Sequence, residues 1–196
     1  MYKNRIDYWF PTPIYVLDEL LLHQLDKFEL HIKDIISTTG SYKNSLISVE
    51  STWETNNQLH LEPTFSDLVD EIYAHTRYFL SQLGYDETTI NNIKINNMWA
   101  NISHKDDHVF PHIHGNTFIG GAFYVKKIDG CKIKFFGDLK NTLPRPAYFN
   151  STNVEYCEYD CDPGRLILFK SNTLHGTTRQ PDGEKIVIAF NIGVTY

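Results

Sequence analysis

The chain has 196 residues, of which 41% are hydrophobic and 14% aromatic, and it carries a formal net charge of −6. That is enough apolar material for one globular domain with a sizeable core. No basic run offers a footprint for a nucleic-acid backbone, and no apolar run approaches the ~18 residues that a bilayer-spanning helix needs.

Residues 7–16 read as an opening extended strand, with Pro11 and Pro13 forbidding helix. Asp18 then has the character of an N-cap for a helix over about 19–36, because Leu21, Leu25, Phe28, Ile32 and Ile35 recur at three- and four-residue steps. Residues 41–65 are polar and read as loop, with a short strand near 46–49. Ser66 and Asp67 start a second helix over about 66–83, with Leu68, Ile72, Phe79 and Leu83 on its buried side and Gly84 as its stop. His75 on this helix reads as a partly exposed polar residue.

From about residue 93 the period changes to that of strands. IKINNMWANIS (93–103) places Ile93, Ile95, Asn97, Trp99 and Asn101 on one face. HVFPHIH (108–114), TFIGGAFYVK (117–126), CKIKFF (131–136), RLILFK (165–170) and KIVIAFNIGV (185–194) follow, separated by turn signals at Asp129-Gly130, Ser171-Asn172 and Pro181-Asp182-Gly183. A polar, proline-bearing segment (138–155) reads as a long loop. Helices first and strands afterwards predict a mainly β fold, a barrel or sandwich backed by two helices from the N-terminal half.

The histidines are clustered. His104, His108, His112 and His114 fall within eleven residues, and His175 follows a strand and a turn. Two histidines two apart on an extended segment point the same way and can reach one cation as neutral imidazoles. Lys185 begins the next strand, where a cation can hold an anionic co-substrate. His104-Lys105-Asp106 is a rival His-x-Asp pair. The three cysteines, Cys131, Cys157 and Cys161, are too few for a disulfide framework and read as free thiols, although Cys157-x3-Cys161 has the spacing of half a metal site. No apolar stretch follows Met1-Tyr2-Lys3-Asn4-Arg5, so no signal peptide is expected, and the expected location is the cytoplasm.

Taken in order, these motifs resemble the iron(II)/2-oxoglutarate-dependent oxygenases, and more narrowly those found in phages and marine bacteria. The resemblance runs through Phe10-Pro11-Thr12-Pro13, Trp99-Ala100-Asn101, His112-Ile113-His114, Gly120-Gly121-Ala122-Phe123-Tyr124, Gly164 to Phe169 with His175, and Phe190-Asn191. It implies a double-stranded β-helix (jelly-roll) core at 93–196, with helical support at 17–85, in a single domain spanning 1–196. It also implies His112, His114 and His175 as ligands of Fe(II), with 2-oxoglutarate and dioxygen as co-substrates. Lys185 and Tyr124 would then hold the distal carboxylate of the keto acid, and Asn101 would line its pocket. The substrate would be a small molecule or a peptide, hydroxylated at a C–H bond. His114 stands where the common two-histidine, one-carboxylate triad has its acid. Three histidines also suit zinc. Arg145 in the long loop could meet an anionic substrate. A cupin-like metalloprotein also has His-x-His, but it wants a glutamate where Phe118 stands and a histidine closer to Pro163-Gly164. A non-catalytic binding barrel is the third reading, against which Lys185 argues.

Overall fold

The computed structural model describes residues 5, 11–43, 48–137 and 146–195. Among them the helices come first: α1 (Leu25–Thr39), α2 (Ser66–Gln82) and the short α3 (Glu87–Asn91). One strand precedes these helices, β1 (Ile14–Leu17), and another lies between α1 and α2, β2 (Glu50–Ser51). Seven follow: β3 (Ile93–Ser103), β4 (Ile119–Lys126), β5 (Lys132–Phe136), β6 (Tyr156–Asp160), β7 (Leu166–Lys170), β8 (His175–Thr177) and β9 (Lys185–Val194). They form a six-stranded sheet in the order β1-β7-β4-β9-β3-β2 and a three-stranded sheet in the order β6-β5-β8. Named strands pair antiparallel throughout. This is the jelly-roll arrangement, with the helices laid on the outer face of the large sheet.

Alternation along each strand separates two apolar layers. Ile186, Ile188, Phe190 and Ile192 of β9 face the helices, together with Ile119, Phe123 and Val125 of β4 and Leu166 and Leu168 of β7. Phe28 of α1 sits in this layer with its ring 5.4 Å from Phe65 and 6.2 Å from Phe123. All three rings are fully buried. Burying such a side chain stabilises by about 1.5–3 kcal/mol, so these three alone fix the helix layer on the sheet. The other layer lies between the sheets and contains Ala122, Tyr124, Ile133, Phe135, Ile167, Phe169 and Val187, with Cys131 and Cys161.

Several sequence expectations change here. The first helix begins at Leu25, after a 3-10 turn over Leu22–Gln24, and not at 19. Asp18 is no N-cap, because Arg165 Nε donates to its carboxylate at 2.5 Å and holds it away. Glu19 and Leu21 turn the chain with φ of 63° and 50°. Among the described residues the opening strand covers Ile14–Leu17, and the strand nearest the expected 46–49, of which 46 and 47 are not described, is β2 at Glu50–Ser51. Residues 6–10, 44–47 and 138–145, with Phe10 and Arg145 among them, lie outside the described residues. α3 and the polar edge strand β6 were not expected.

The face assignment on β3 also changes. A bulge between Ile95 and Asn97 shifts the register against β9. One extra residue moves all that follows to the opposite side. Ile93 and Ile95 therefore face the helices, while Asn97, Trp99 and Asn101 face the space between the sheets. The segment 108–114 is not a continuous strand. It touches the small sheet through an isolated His112–His175 bridge.

Candidate metal centre

Local backbone geometry delivers the three histidines to one point. His112 N donates to His175 O at 2.8 Å, and His175 N returns a bond to His112 O at 3.0 Å. His114 N donates to Ser171 O at 2.8 Å. Gly176 permits this close approach, since a Cβ there would stand 2.9 Å from Val109 O and 3.0 Å from Pro111 N. Gly120 clears the floor beneath, where a Cβ would lie 2.7 Å from the Phe169 ring and 3.2 Å from His114 Nδ1. One ligand atom from each of His112, His114 and His175 falls within 4.8 Å of the other two.

Hydrogen bonds behind the rings set their tautomers. His112 Nδ1 faces Phe110 O at 2.9 Å, and His175 Nδ1 faces Thr173 O at 2.9 Å. His114 Nδ1 faces Asn191 Oδ1 at 2.5 Å. Asn191 is itself oriented, because its Nδ2 donates to Asn97 Oδ1 at 2.8 Å. Each Nδ1 therefore donates to an oxygen, which leaves each Nε2 with a lone pair. The Nε2 atoms of His112 and His114 stand 3.2 Å apart. Two lone-pair nitrogens at that separation repel unless a cation lies between them. Two nitrogens each about 2.1 Å from one ion, at a right angle, lie roughly 3 Å apart. The donor set fits a divalent metal.

Electrostatics keep the rings available. Burial above all, then the neighbouring His112, lowers His114 to about 4 against the opposing hydrogen bond from Asn191. Burial and His112 likewise lower His175 to about 3, against its bond to Thr173 O. Both are neutral, as metal ligands must be, well below neutral pH. The rings of Phe169 and Phe135 lie 4.4 Å and 6.0 Å from that of His175 and seal its far side from water.

A trough leads away from the histidines along the inner face of the large sheet. Its successive rows pair Gly120 with Asn191, Ala122 with Ala189 and Tyr124 with Val187. Across β3 and β9 the rows pair Trp99 with Ala189, Asn101 with Val187 and Ser103 with Lys185. The two alanines leave room on the floor. Trp99, its ring 6.3 Å from His114 and 4.6 Å from Trp53, forms one wall. Lys185 closes the far end, 2% exposed. Its ammonium has no hydrogen bond or ion pair among the described residues. Tyr124 is also buried, and burial first, then Cys161 and Cys131, raises its phenol well above the ordinary value. Asn101 Oδ1 is buried without a partner. Lys185, Tyr124 and Asn101, a cation, a phenol and an amide, thus lie on the same inner face of the large sheet as the histidines.

The rival pair is not drawn into this group. His104 is half-exposed, with Nε2 3.8 Å from Glu50, and Asp106 occupies an exposed left-handed turn at φ 67°. His108 packs on Phe110 at 4.5 Å. His75 accepts or donates to Tyr15 OH at 2.8 Å, on the helical side. Cys157 is exposed and apart from the histidines. Asn97 and Asn191, which orient His114, were not singled out from the sequence as site residues. Asn191 entered only through the Phe190-Asn191 motif and Asn97 only as one residue on a strand face.

Residues 97–191 match the family model described as "Putative 2OG-Fe(II) oxygenase". This segment, just under half of the chain, is similar to the 2OG-Fe(II) oxygenases. Solved structures of 2OG-Fe(II) oxygenases share the fold of nearly the whole chain. A Pseudomonas putida prolyl-4-hydroxylase aligns over 94% of this chain and 94% of its own, with TM-score 0.64 and 9% identity. HygX from Streptomyces hygroscopicus, solved with nickel, 2-oxoglutarate and hygromycin B, aligns over 94% and 84%, with TM-score 0.66 and 13% identity. The viral collagen prolyl hydroxylase vCPH from Paramecium Bursaria Chlorella virus-1, in its 2-oxoglutarate complex, aligns over 93% and 96%, with TM-score 0.61 and 17% identity. No curated protein sequence matches the chain. Fe(II), 2-oxoglutarate and dioxygen are the cofactor and co-substrates of the superfamily. Among the described residues no helix is long and apolar enough to cross a membrane.

Proposed function

We propose that the chain is a single-domain, Fe(II)- and 2-oxoglutarate-dependent hydroxylase acting on a small molecule or a peptide. His112, His114 and His175 hold the metal through Nε2. Lys185 and Tyr124 receive the distal carboxylate of 2-oxoglutarate, and Asn101 lines the trough beside it. When bound, the metal and keto acid supply the oxidising power, consuming dioxygen and releasing succinate and carbon dioxide. The chain supplies placement. Phe110 O, Thr173 O and Asn191 fix the rings, the small side chains of the Ala122–Ala189 row would leave space for the keto acid, and Phe135, Phe169 and Trp99 would exclude water.

The observation that supports this reading most directly is the pairing of two features. Three imidazoles turn their lone pairs to one point, and a buried lysine with no carboxylate paired to it among the described residues lies at the other end of the trough. A metal-binding barrel with no co-substrate has no use for the second. The long loop leaves the small sheet beside the histidines, since Gly137 N bonds Glu155 O and Phe136 N bonds Leu174 O. The exposed 146–155 segment therefore borders the substrate approach. A prolyl group, from the name of one structural neighbour, and a small molecule such as the hygromycin B bound to another are both candidate substrate classes. The free thiols suit a reducing compartment such as the cytoplasm.

The test is an anaerobic titration, first with Fe(II) and then with 2-oxoglutarate, following the metal-to-ligand charge-transfer band. Lys185→Ala is expected to abolish 2-oxoglutarate binding and to spare the metal. Unchanged co-substrate affinity in that variant sinks the assignment.

A further inference from the structure

Cys131 and Cys161 play no part in the reading above, yet they stand at the Lys185 end of the trough. The β5–β6 ladder pairs Lys132 with Asp160, so the next opposed pair is Cys131 and Cys161. The ladder does continue, because Cys161 N donates to Cys131 O at 3.3 Å. Opposed Cα atoms in antiparallel strands lie roughly 4.5–5.5 Å apart, within the roughly 4.4–6.8 Å that a disulfide bridges. The two thiols lie close enough to shift each other's ionisation, and Cys161 is likewise coupled to Tyr124. Both cysteines are at most 2% exposed, Cys131 at 2% and Cys161 at 1%.

Their surroundings favour one thiolate. The bond from Cys161 first, against burial, brings Cys131 down to about 6, with Ile128 and the charge of Lys185 adding to the effect. Cys161 is pushed up by its bond to Cys131 and by burial. A thiolate beside a thiol is the attacking member of a dithiol pair. Among the described residues no carboxylate pairs with Lys185, so Cys131 is the group that answers its charge.

We propose that Cys131 and Cys161 form an oxidation site, a dithiol that hydrogen peroxide closes to a disulfide, and that this closure tightens the hold of Lys185 on 2-oxoglutarate. The second half rests on the co-substrate assignment above. In the first step the Cys131 thiolate attacks one peroxide oxygen; the O–O bond breaks, an S–O bond forms, and hydroxide leaves and takes a proton from solvent to become water. In the second step Cys161 sulfur attacks Cys131 sulfur; the S–O bond breaks, the S–S bond forms, and the Cys161 proton departs with the oxygen as a second water. Two thiols are oxidised and one peroxide is reduced. The disulfide carries no charge, so Lys185 then has only the incoming carboxylate to neutralise it. In the dithiol state that carboxylate must instead compete with the Cys131 thiolate for the charge of Lys185.

The experiment uses the full chain loaded with Ni(II), a metal that does not itself react with peroxide here as Fe(II) does. Protein is treated with about stoichiometric hydrogen peroxide, then with catalase. Titratable thiols in denaturant are expected to fall from three to one, and a non-reducing peptide map is expected to join Cys131 to Cys161. By calorimetry the disulfide form is expected to bind 2-oxoglutarate at least threefold more tightly than the dithiol form. Cys131→Ser, without oxidation, is expected to bind as the disulfide form does. Cys161→Ser serves as a second variant that cannot form the bridge. Thiols that persist, or that oxidise further without a Cys131–Cys161 bridge, overturn the oxidation site. A bridge with unchanged or weaker binding overturns the coupling. A bridge in a protein that binds no 2-oxoglutarate in either state overturns the co-substrate assignment and the coupling together, and supports the dithiol alone.

Discussion

Asn191→Ala isolates what the backing hydrogen bonds contribute to the metal centre. In the native chain Asn191 Oδ1 accepts from His114 Nδ1 at 2.5 Å while its Nδ2 donates to Asn97 Oδ1 at 2.8 Å. Truncation strands the buried Nδ1–H of His114 and releases the ring to adopt the other tautomer, which presents a proton to the metal in place of a lone pair. Leaving a buried donor unsatisfied costs about 1–3 kcal/mol. Loss of a group that orients a ligand histidine typically weakens metal binding by about 10–100-fold, which is roughly 1.4–2.7 kcal/mol, so the two routes agree. The residue lies outside the group of proposed ligands, which means that its effect comes through His114. The assay is competition for Ni(II) or Zn(II) against a chromophoric chelator, with circular dichroism as a check on folding. Asn191→Asp, which keeps an acceptor, is expected to recover most of the affinity. A folded Asn191→Ala protein that binds metal within threefold of wild type refutes the account of how His114 is held.

Two further outcomes follow from other contacts. Gly176→Ala is expected to weaken metal binding and to lower the melting temperature, because its Cβ would press on Val109 O at 2.9 Å and Pro111 N at 3.0 Å and push the His112 segment from β8; equal metal affinity and melting temperature count against the close approach. The second concerns acid. Lys33 and Lys126 each bridge Glu29 and Glu184 at 2.7–3.0 Å, tying α1 to the ends of β4 and β9. Burial acts to raise both carboxyls, but the two lysines outweigh it and leave both below their ordinary value. Depressed carboxyls stabilise fully above their unfolded pKa, near ~4.3, and that contribution is lost as pH falls through the lower folded values. Lys126→Met is therefore expected to flatten the fall of melting temperature below about pH 4.5, and an identical acid profile refutes the role of the box.

How much of this could be read from the sequence depended on the range of the interaction concerned. β9 was legible over its full length, 185–194, because apolar residues on one side alternate with Lys185, Val187 and Asn191 on the other. Both principal helices were legible from their stripes, but the start of the first was not. Asp18 is a good local cap, and nothing nearby in sequence announces that Arg165 claims it. The inner face of β3 was misassigned at Ile93 and Ile95 because a bulge changes the parity of a strand without leaving a mark in composition. β6 is polar on an edge and has no alternation to detect. The three histidines could be grouped through their order and spacing. Asn97 and Asn191 could not be added, since the bond between them joins strands that become neighbours only in the folded sheet.

The three proposed ligands do not share one anchor. His112 and His175 are bound to each other through both of their backbone bonds, so they shift together or not at all. His114 hangs from Ser171 and Asn191 instead. The centre is thus a rigid pair plus one independently mounted arm. An exchange of that arm for a carboxylate would leave the pair untouched, provided the gap to Asn191 were refilled. A chain with this construction can cross between three-histidine and two-histidine, one-carboxylate chemistry in a small number of substitutions, without rebuilding its barrel.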